Sequence, residues 1–254
     1  MFYDCKNLTN INISSFNTKK ITNMEVIFYG CENLKNLDLS HFDTKNVTTM
    51  TQLFGHCKKL TNINISNFDT QNVINMSGMF DYCESLNEID LSNFNTKNVK
   101  DMSFMFHRCV NLKQINLLNF DTKNLTDMRS MFCRCESLFN IDISHFDTKN
   151  VENLSQMFYE CHNLININLS NFDTKKVINM NGLFYNCYSL INLNILKLNI
   201  ENVNEMRFIF SGCINLSDIK LSFLDTSKVQ NNIKMFNNCA NLAKKYFPYF
   251  NQKI

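Results

Sequence analysis

A cysteine stands at every twenty-sixth position of this chain: Cys5, Cys31, Cys57, Cys83, Cys109, Cys135, Cys161, Cys187, Cys213 and Cys239. No insertion or deletion disturbs the spacing. Three residues after each cysteine comes a leucine, from Leu8 to Leu242, and three before each comes a phenylalanine, from Phe2 to Phe236. Self-similarity at a fixed period of this length means a stacked array, because one such unit cannot bury its own apolar face. The 254 residues therefore form a single repeat domain, 1–254, and not one or two globular domains. Its units run Cys5–Gly30, Cys31–His56, Cys57–Tyr82, Cys83–Arg108, Cys109–Arg134, Cys135–Glu160, Cys161–Asn186, Cys187–Gly212 and Cys213–Asn238, with a C-terminal partial unit or cap at 239–254.

Each phase of the repeat carries its own structural expectation. After the cysteine the motif Leu-x-x-Ile-x-Ile recurs as Leu8, Ile11, Ile13, then Leu34, Leu37, Leu39, and onward to Leu216, Ile219, Leu221. Alternation over its last four positions predicts a half-buried strand, with Ile11 and Ile13 inward and Asn10, Asn12 and Ser14 outward. A phenylalanine follows, Phe16 through Phe172, replaced later by Leu198 and Leu224. Asp-Thr or Asn-Thr comes next, from Asn17-Thr18 to Asp225-Thr226, a pair suited to capping a helix. The spacing Val47, Met50, Leu53, Phe54, Cys57 then predicts a helix with one buried face. Asn or Ser two residues past the cysteine (Asn33, Ser85, Asn111, Ser137) would end it.

The predicted fold is α/β: a right-handed solenoid of about ten 26-residue strand–helix units, with a parallel sheet on the concave side. Ile200 replaces the capping threonine and Leu196 and Lys197 break the pattern, so a weakened cap is expected there. At the far end Lys245 and Pro248 interrupt the pattern and suggest a terminal cap. At the near end an open face of Leu8, Ile11, Ile13 and Phe16 suggests truncation, or self-association through an uncapped N-terminal end.

Several function classes find no residues to carry them. A net charge of +2 gives no bulk field for specific nucleic-acid binding. No apolar run approaches the length of a membrane span. The five histidines, His41, His56, His107, His145 and His162, fall on four repeat phases, so the fold should scatter them. With five glycines there is no phosphate loop or nucleophile elbow. Catalytic residues, metal ligands and cofactors are therefore expected to be absent.

The eleven cysteines look like a disulfide framework, but one per repeat on a single phase reads as a buried ladder of reduced thiols. Cys133 is the exception to that phase. It takes the place of Tyr29, Gly55, Asp81 and Tyr159 in other units, and is expected to be exposed and the one thiol open to reaction.

Two surface rows are candidate binding sites. The outward strand positions form a ladder of amides and carboxylates: Asn36, Asp38, Asn62, Asn64, Glu88, Asp90, Gln114, Asn116, Asn140, Asp142, Asn166 and Asn168. Such groups could bond a glycan or an extended peptide, or simply keep the sheet solvated. The second row, Lys19, Lys45, Lys97, Lys123, Lys149 and Lys175, falls at the expected helix N-termini and would suit a polyanion, or simply form a solvated edge that resists aggregation.

The strand motif resembles that of leucine-rich repeats. The fuller module, Leu-Ser-x-Phe-Asp-Thr-Lys-Asn-Val-x-x-Met-x-x-Met-Phe-x-x-Cys, resembles the 26-residue bacterial surface-protein repeat of the BspA-like family, found in surface lipoproteins of mycoplasma and listeria. That resemblance spans essentially the whole chain and implies a cell-surface or secreted protein with an adhesive role. The opening Met-Phe-Tyr-Asp-Cys lies inside a repeat and carries no signal peptide, which leaves the cytoplasm open. One departure concerns the asparagine that ordinarily follows the strand: Phe16, Phe42 and Phe68 stand there, so the asparagine ladder should be replaced by an aromatic spine. The reading is a non-enzymatic, surface-displayed binding or adhesion module that takes a protein or glycan ligand. The alternatives are a structural or self-associating spacer, or an intracellular interaction scaffold.

Overall fold

A computed structural model describes residues 1–195, 198–219 and 229–242. The expectations at Leu196, Lys197, Leu221, Leu224, Asp225-Thr226, Lys245 and Pro248 lie outside the described residues.

Equal-length coils stack in register, and their apolar phases merge into one continuous core. Phe28, Phe54, Phe80, Phe106, Phe132 and Phe158 have no exposed surface. Their rings form a column with centroids 5.4–5.9 Å apart between neighbours. Cys31 through Cys213 on the shared phase are likewise sealed, beside Met50, Met76, Met102 and Met128. The thiols have a role beyond filling space. Cys57 donates its S–H to the Phe28 carbonyl of the preceding coil at 3.1 Å, and Cys83, Cys109, Cys135 and Cys161 repeat the bond. Burial pushes every one of these thiols up, Cys31 to about 11. Ionisation inside this core is correspondingly disfavoured. The second aromatic row is also inside: Phe42, Phe68, Phe94, Phe120, Phe146 and Phe172 are all buried.

The strand expectation holds in short pieces. β1 (Asn36–Asp38) pairs in parallel with β2 (Asn62–Asn64), and β3 (Asn166–Asn168) with β4 (Asn192–Asn194). Asn36 lies opposite Asn62 and Leu37 opposite Ile63, one full repeat apart. Among the described residues the sheet is thus two separate pairs, extended by a bridge from Asn140 to Asn166. The unbroken parallel ladder lies elsewhere. It runs through Asn23, Thr49, Asn75, Asp101, Asp127, Asn153, Asn179, Glu205 and Asn231, just where the helix was expected to begin.

That helix is corrected by the structure: among the described residues, α-helix appears only at 240–242. The back of each coil is a succession of tight turns. Left-handed residues recur in pairs four apart, such as Gln52 (φ 48°) with His56 (φ 59°) and Phe104 (φ 58°) with Arg108 (φ 57°). Each such residue ends a right-handed helix. The left-handed turn sits one residue before the cysteine, not two after it. Gly30 takes that position at φ 73°, where an added Cβ would lie 2.7 Å from Asp4 Oδ1. Asx turns reinforce the break: Asn75 Oδ1 accepts from the Ser77 N–H at 2.8 Å, and Asp101 from Ser103 at 2.8 Å. Backbone donors turn outward to the next coil. Met50, Gln52, Phe54 and His56 donate to the carbonyls of Asn75, Ser77, Met79 and Asp81. Every second amide is used between coils, which satisfies buried backbone without a helix.

The threonines are not helix caps. Thr44, Thr70, Thr96, Thr122 and Thr148 are buried. Thr70 Oγ1 accepts from the Asn95 N–H at 2.8 Å and donates to the Asn95 carbonyl at 3.0 Å. Each hydroxyl is a rung to the next coil. Ile200, in the same phase, is buried and has no hydroxyl to continue the series past Thr174.

The asparagine ladder has moved rather than vanished. Asn46, Asn72, Asn98, Asn124 and Asn150 each donate to a carbonyl of the preceding coil, at 2.7–3.0 Å. Asn67, Asn119 and Asn171 do so at a second corner, and Asn33, Asn111 and Asn215 at a third. At the second corner His41 and His145 take the asparagine's place through Nε2, at 2.8 and 3.0 Å. The fold is a solenoid of stacked coils whose expected helices are, among the described residues, replaced by turns.

Candidate functional site: the strand-face groove

The alternation that buries Leu37 forces Asn36 and Asp38 outward, and every coil repeats the geometry. Two rows of polar side chains thus flank an aliphatic line. Asn36, Asp38, Asn62, Asn64, Glu88, Asp90, Gln114 and Asn116 border a concave groove of about 970 Å³. Its floor is Leu37, Ile63, Ile89 and Ile115, the last three half-buried. Asn140, Asp142, Asn166 and Asn168 border a second groove of about 900 Å³ farther along the same face. All twelve of these expected positions are exposed. The structure places them on one face, divided between two depressions.

Part of the ladder bonds to itself. Asn62 Nδ2 donates to Asn36 Oδ1 at 2.7 Å, and Asn192 Nδ2 to Asn166 Oδ1 at 2.6 Å. The inner row makes turns with the serines that follow. Asp38 Oδ1 accepts from the Ser40 N–H at 2.9 Å, and Asp142 Oδ1 from the Ser144 N–H at 3.0 Å and hydroxyl at 2.7 Å. The Ser40 N–H then hydroxyl, and the Ser92 and Ser144 hydroxyls then N–H groups, hold Asp38, Asp90 and Asp142 below the usual carboxylate range. These carboxylates are therefore ionised at neutral pH. Asn64 and Asn168 make the same turn with Ser66 and Ser170. The face is polar, largely pre-bonded, and free of aromatic platforms among the groove residues. It can offer amide and carboxylate groups over an aliphatic floor.

The lysine row is at the surface, but its surroundings differ from those expected. Lys45, Lys97, Lys123, Lys149 and Lys175 donate their N–H groups to the Asp or Asn two residues earlier, at 3.1–3.2 Å, and Lys19 to Asn17. No helix N-terminus lies there to gather an anion. Lys149 Nζ also lies 2.8 Å from Asp147 Oδ2, and Lys123 Nζ 3.6 Å from Asp121 Oδ2. The row is mixed in charge.

The histidines are not all scattered. His107 Nδ1 lies 2.7 Å from Asp81 Oδ1, and His56 Nε2 3.8 Å from Asp81 Oδ2. The His56 ring stacks on Tyr82 at 4.2 Å, and the Arg108 guanidinium lies over the Tyr82 ring at 4.7 Å. Asp81 is buried. This grouping comes from adjacent phases on neighbouring coils, a signal present once the phases are laid side by side. Among the described residues, no three His, Cys, Asp or Glu side chains are arranged to hold a metal ion. Cys133 also departs from expectation: it is buried, and burial pushes its thiol up to about 12. Cys5 is the exposed cysteine. At the N-terminal end Phe16 is exposed, Leu8 and Ile11 half-buried, and Ile13 buried; the Phe2 ring stacks on Phe16 at 6.2 Å. No helix of the described residues is long and apolar enough to cross a membrane.

A family model described as "Mycoplasma protein of unknown function, DUF285" matches residues 1–89, 83–189 and 162–253. No curated protein matches the chain. Solved structures similar to it include a Treponema pallidum leucine-rich-repeat protein: TM-score 0.44, 22% identity, covering 81% of this chain and 76% of that one. A leucine-rich-repeat protein of Eubacterium ventriosum gives 0.42 and 15%, covering 85% of this chain and 55% of that one. A leucine-rich cell surface protein of Faecalibacterium prausnitzii gives 0.34 and 18%, covering 87% and 75%. Likenesses this distant assign no function to the chain.

Proposed function

The chain belongs to the DUF285 family, with a 26-residue unit of the BspA-like leucine-rich kind, and on that premise we propose a non-enzymatic module that holds an extended protein or glycan ligand along its strand face. The observation that carries this reading is the groove of about 970 Å³, crossed by five successive coils and bordered by outward amides and carboxylates. Leucine-rich-repeat proteins generally serve as interaction or surface modules, and the family resemblance supports display at a cell surface. The mixed charge of the lysine row gives a polyanion reading less support. A spacer role draws support from the amide ladder bonding to itself at Asn36–Asn62.

Peptides and glycans selected from arrays on the intact protein test the reading. Tryptophan at Asn62 and Asn116 would fill the groove, while glutamine at Lys45 and Lys123 serves as a control on another surface. Loss of at least tenfold in affinity with the first pair, and little change with the second, is the expected outcome. Selected ligands that ignore the groove variant would refute it.

A further inference from the structure

One edge of the solenoid changes character along the stack. The outward position four residues after each cysteine holds Thr9, Lys35, Thr61 and Asn87 in the first four coils, then Lys113, and after it Phe139, Ile165 and Ile191. These last three are 47%, 40% and 51% exposed. They stand on successive rungs. The Ile165 N–H donates to the Phe139 carbonyl at 3.3 Å and the Ile191 N–H to the Ile165 carbonyl at 2.9 Å. Beside them Asn140, Asn166 and Asn192 pair in register. Three residues earlier in the coil, Tyr188 and Ile214 add exposed apolar surface to the same edge. Five large exposed apolar side chains thus gather within four coils. Such residues scattered singly are ordinary, whereas a contiguous set marks a contact surface.

The stripe ends in opposite charges. Lys113 is exposed one coil before Phe139, and Asp218 is exposed one coil past Ile191. A surface with a cation at one end and an anion at the other is complementary to its own antiparallel copy. A twofold axis across the edge at Ile165 sets Ile165 on Ile165, Phe139 on Ile191 of the second copy, and Lys113 beside Asp218 of the second copy. Each unlike pair then occurs twice. In the neighbouring row the same operation sets Ile214 on Val110 and the Tyr188 phenol on the Glu136 carboxylate. Parallel pairing would instead oppose Lys113 to Lys113 and Asp218 to Asp218, which like-charge repulsion disfavours.

We propose that this edge is the interface of an antiparallel homodimer, each copy covering the apolar stripe of the other from Lys113 to Asp218. The occupant is chosen by the charge complementarity of the stripe with itself. The interface does not depend on the strand-face reading, because the groove of about 970 Å³ lies on earlier coils, between Asn10 and Asn116. Five apolar side chains a side make a small interface, so a reversible dimer of roughly micromolar affinity is expected.

Sedimentation velocity on the full chain, from micromolar to submillimolar concentration, tests this. Ile165→Lys places two like charges together on the axis and should weaken dimerisation at least roughly tenfold. Lys113→Glu and Asp218→Lys should each weaken it about two- to tenfold, and the double variant that swaps both charges should recover the wild-type dimer. That recovery is a gain, which a merely misfolded variant could not give. Phe16→Ser, at the open N-terminal end, should leave the dimer unchanged. A chain that stays monomeric throughout overturns the proposal, the stripe then being covered by another protein or by residues 243–254. Dimers indifferent to Ile165→Lys, dimers abolished by Phe16→Ser, or a double charge swap no stronger than either single variant overturn it equally.

Discussion

Replacing Thr70 by valine should weaken the stack more than replacing it by serine, the reverse of what a buried site would favour on apolar grounds. Thr70 is 1% exposed. Its hydroxyl serves both backbone groups of Asn95, at 2.8 and 3.0 Å. Valine keeps the volume and leaves an N–H and a C=O without their partner. A stranded buried group costs about 1–3 kcal/mol. Asn95 is itself exposed, so water recovers part of this, and about 2–3 kcal/mol is the expected total. Serine keeps both bonds and loses one methyl group, about 1 kcal/mol. At about 2–4 °C per kcal/mol for a chain of this size, calorimetry should show roughly a 4–12 °C fall for Thr70→Val and about 2–4 °C for Thr70→Ser. Thr70→Asn separates the rung from a helix cap. Asparagine caps helices as well as threonine does, but its larger side chain has no room in this sealed slot. A valine variant as stable as the serine variant, or an asparagine variant equal to wild type, would refute the rung.

Further outcomes follow from the same coil-to-coil contacts. The ten buried thiols remain neutral in the fold while those of the unfolded chain ionise near their usual value of about 8.5. Folded values raised above unfolded ones give stability that is complete below that pH and is lost as pH rises, at about 1.4 kcal/mol per thiol per unit. For Cys31 the loss continues to about 11. Circular dichroism should therefore show alkaline unfolding within roughly one to two units above pH 8.5, and a thiol reagent at pH 7 should label Cys5 in the native protein and leave Cys133 unmodified. Phe106→Ala removes the middle of a ring column from between Phe80 and Phe132, each 5.6 Å away, and should cost about 3–5 kcal/mol in urea unfolding. Heparin retention should be weak, and changed little by Lys149→Gln, because Asp147 already neutralises that lysine at 2.8 Å.

Which residues face the core could be read from phase alone, since Ile13, Leu39, Phe42, Met50 and Cys57 are all buried. The outward strand rows were equally legible, because alternation leaves Asn36 and Asp38 no other side. The helix was not. Inward steps of three and four, as in Met50, Leu53, Phe54 and Cys57, describe one face of a helix, but successive three-residue turns give the same steps. Here Leu53 N–H bonds to the Met50 carbonyl and Cys57 N–H to the Phe54 carbonyl, each closing a turn. Periodicity reports which side chains point inward; it does not report where the amides go. Neighbouring coils accept them, and that is a tertiary fact. The threonine was misread for a related reason. A threonine beside an aspartate suits a cap and an inter-coil rung alike, and the bonds of Thr44 Oγ1 to the N–H and carbonyl of Asp69 in the next coil tell them apart. The pairing of His107 with Asp81 was hidden because the residues lie one coil apart on one phase that varies from unit to unit.

Through-hydrogen-bond couplings in a labelled sample test the stacking most directly. The structure predicts couplings from the amides of Gly78 and Phe80 to the carbonyls of Ser103 and Met105, one coil onward, where the N–O distances are 2.8 and 2.9 Å. Couplings from those amides to carbonyls four residues earlier in the same unit would contradict it.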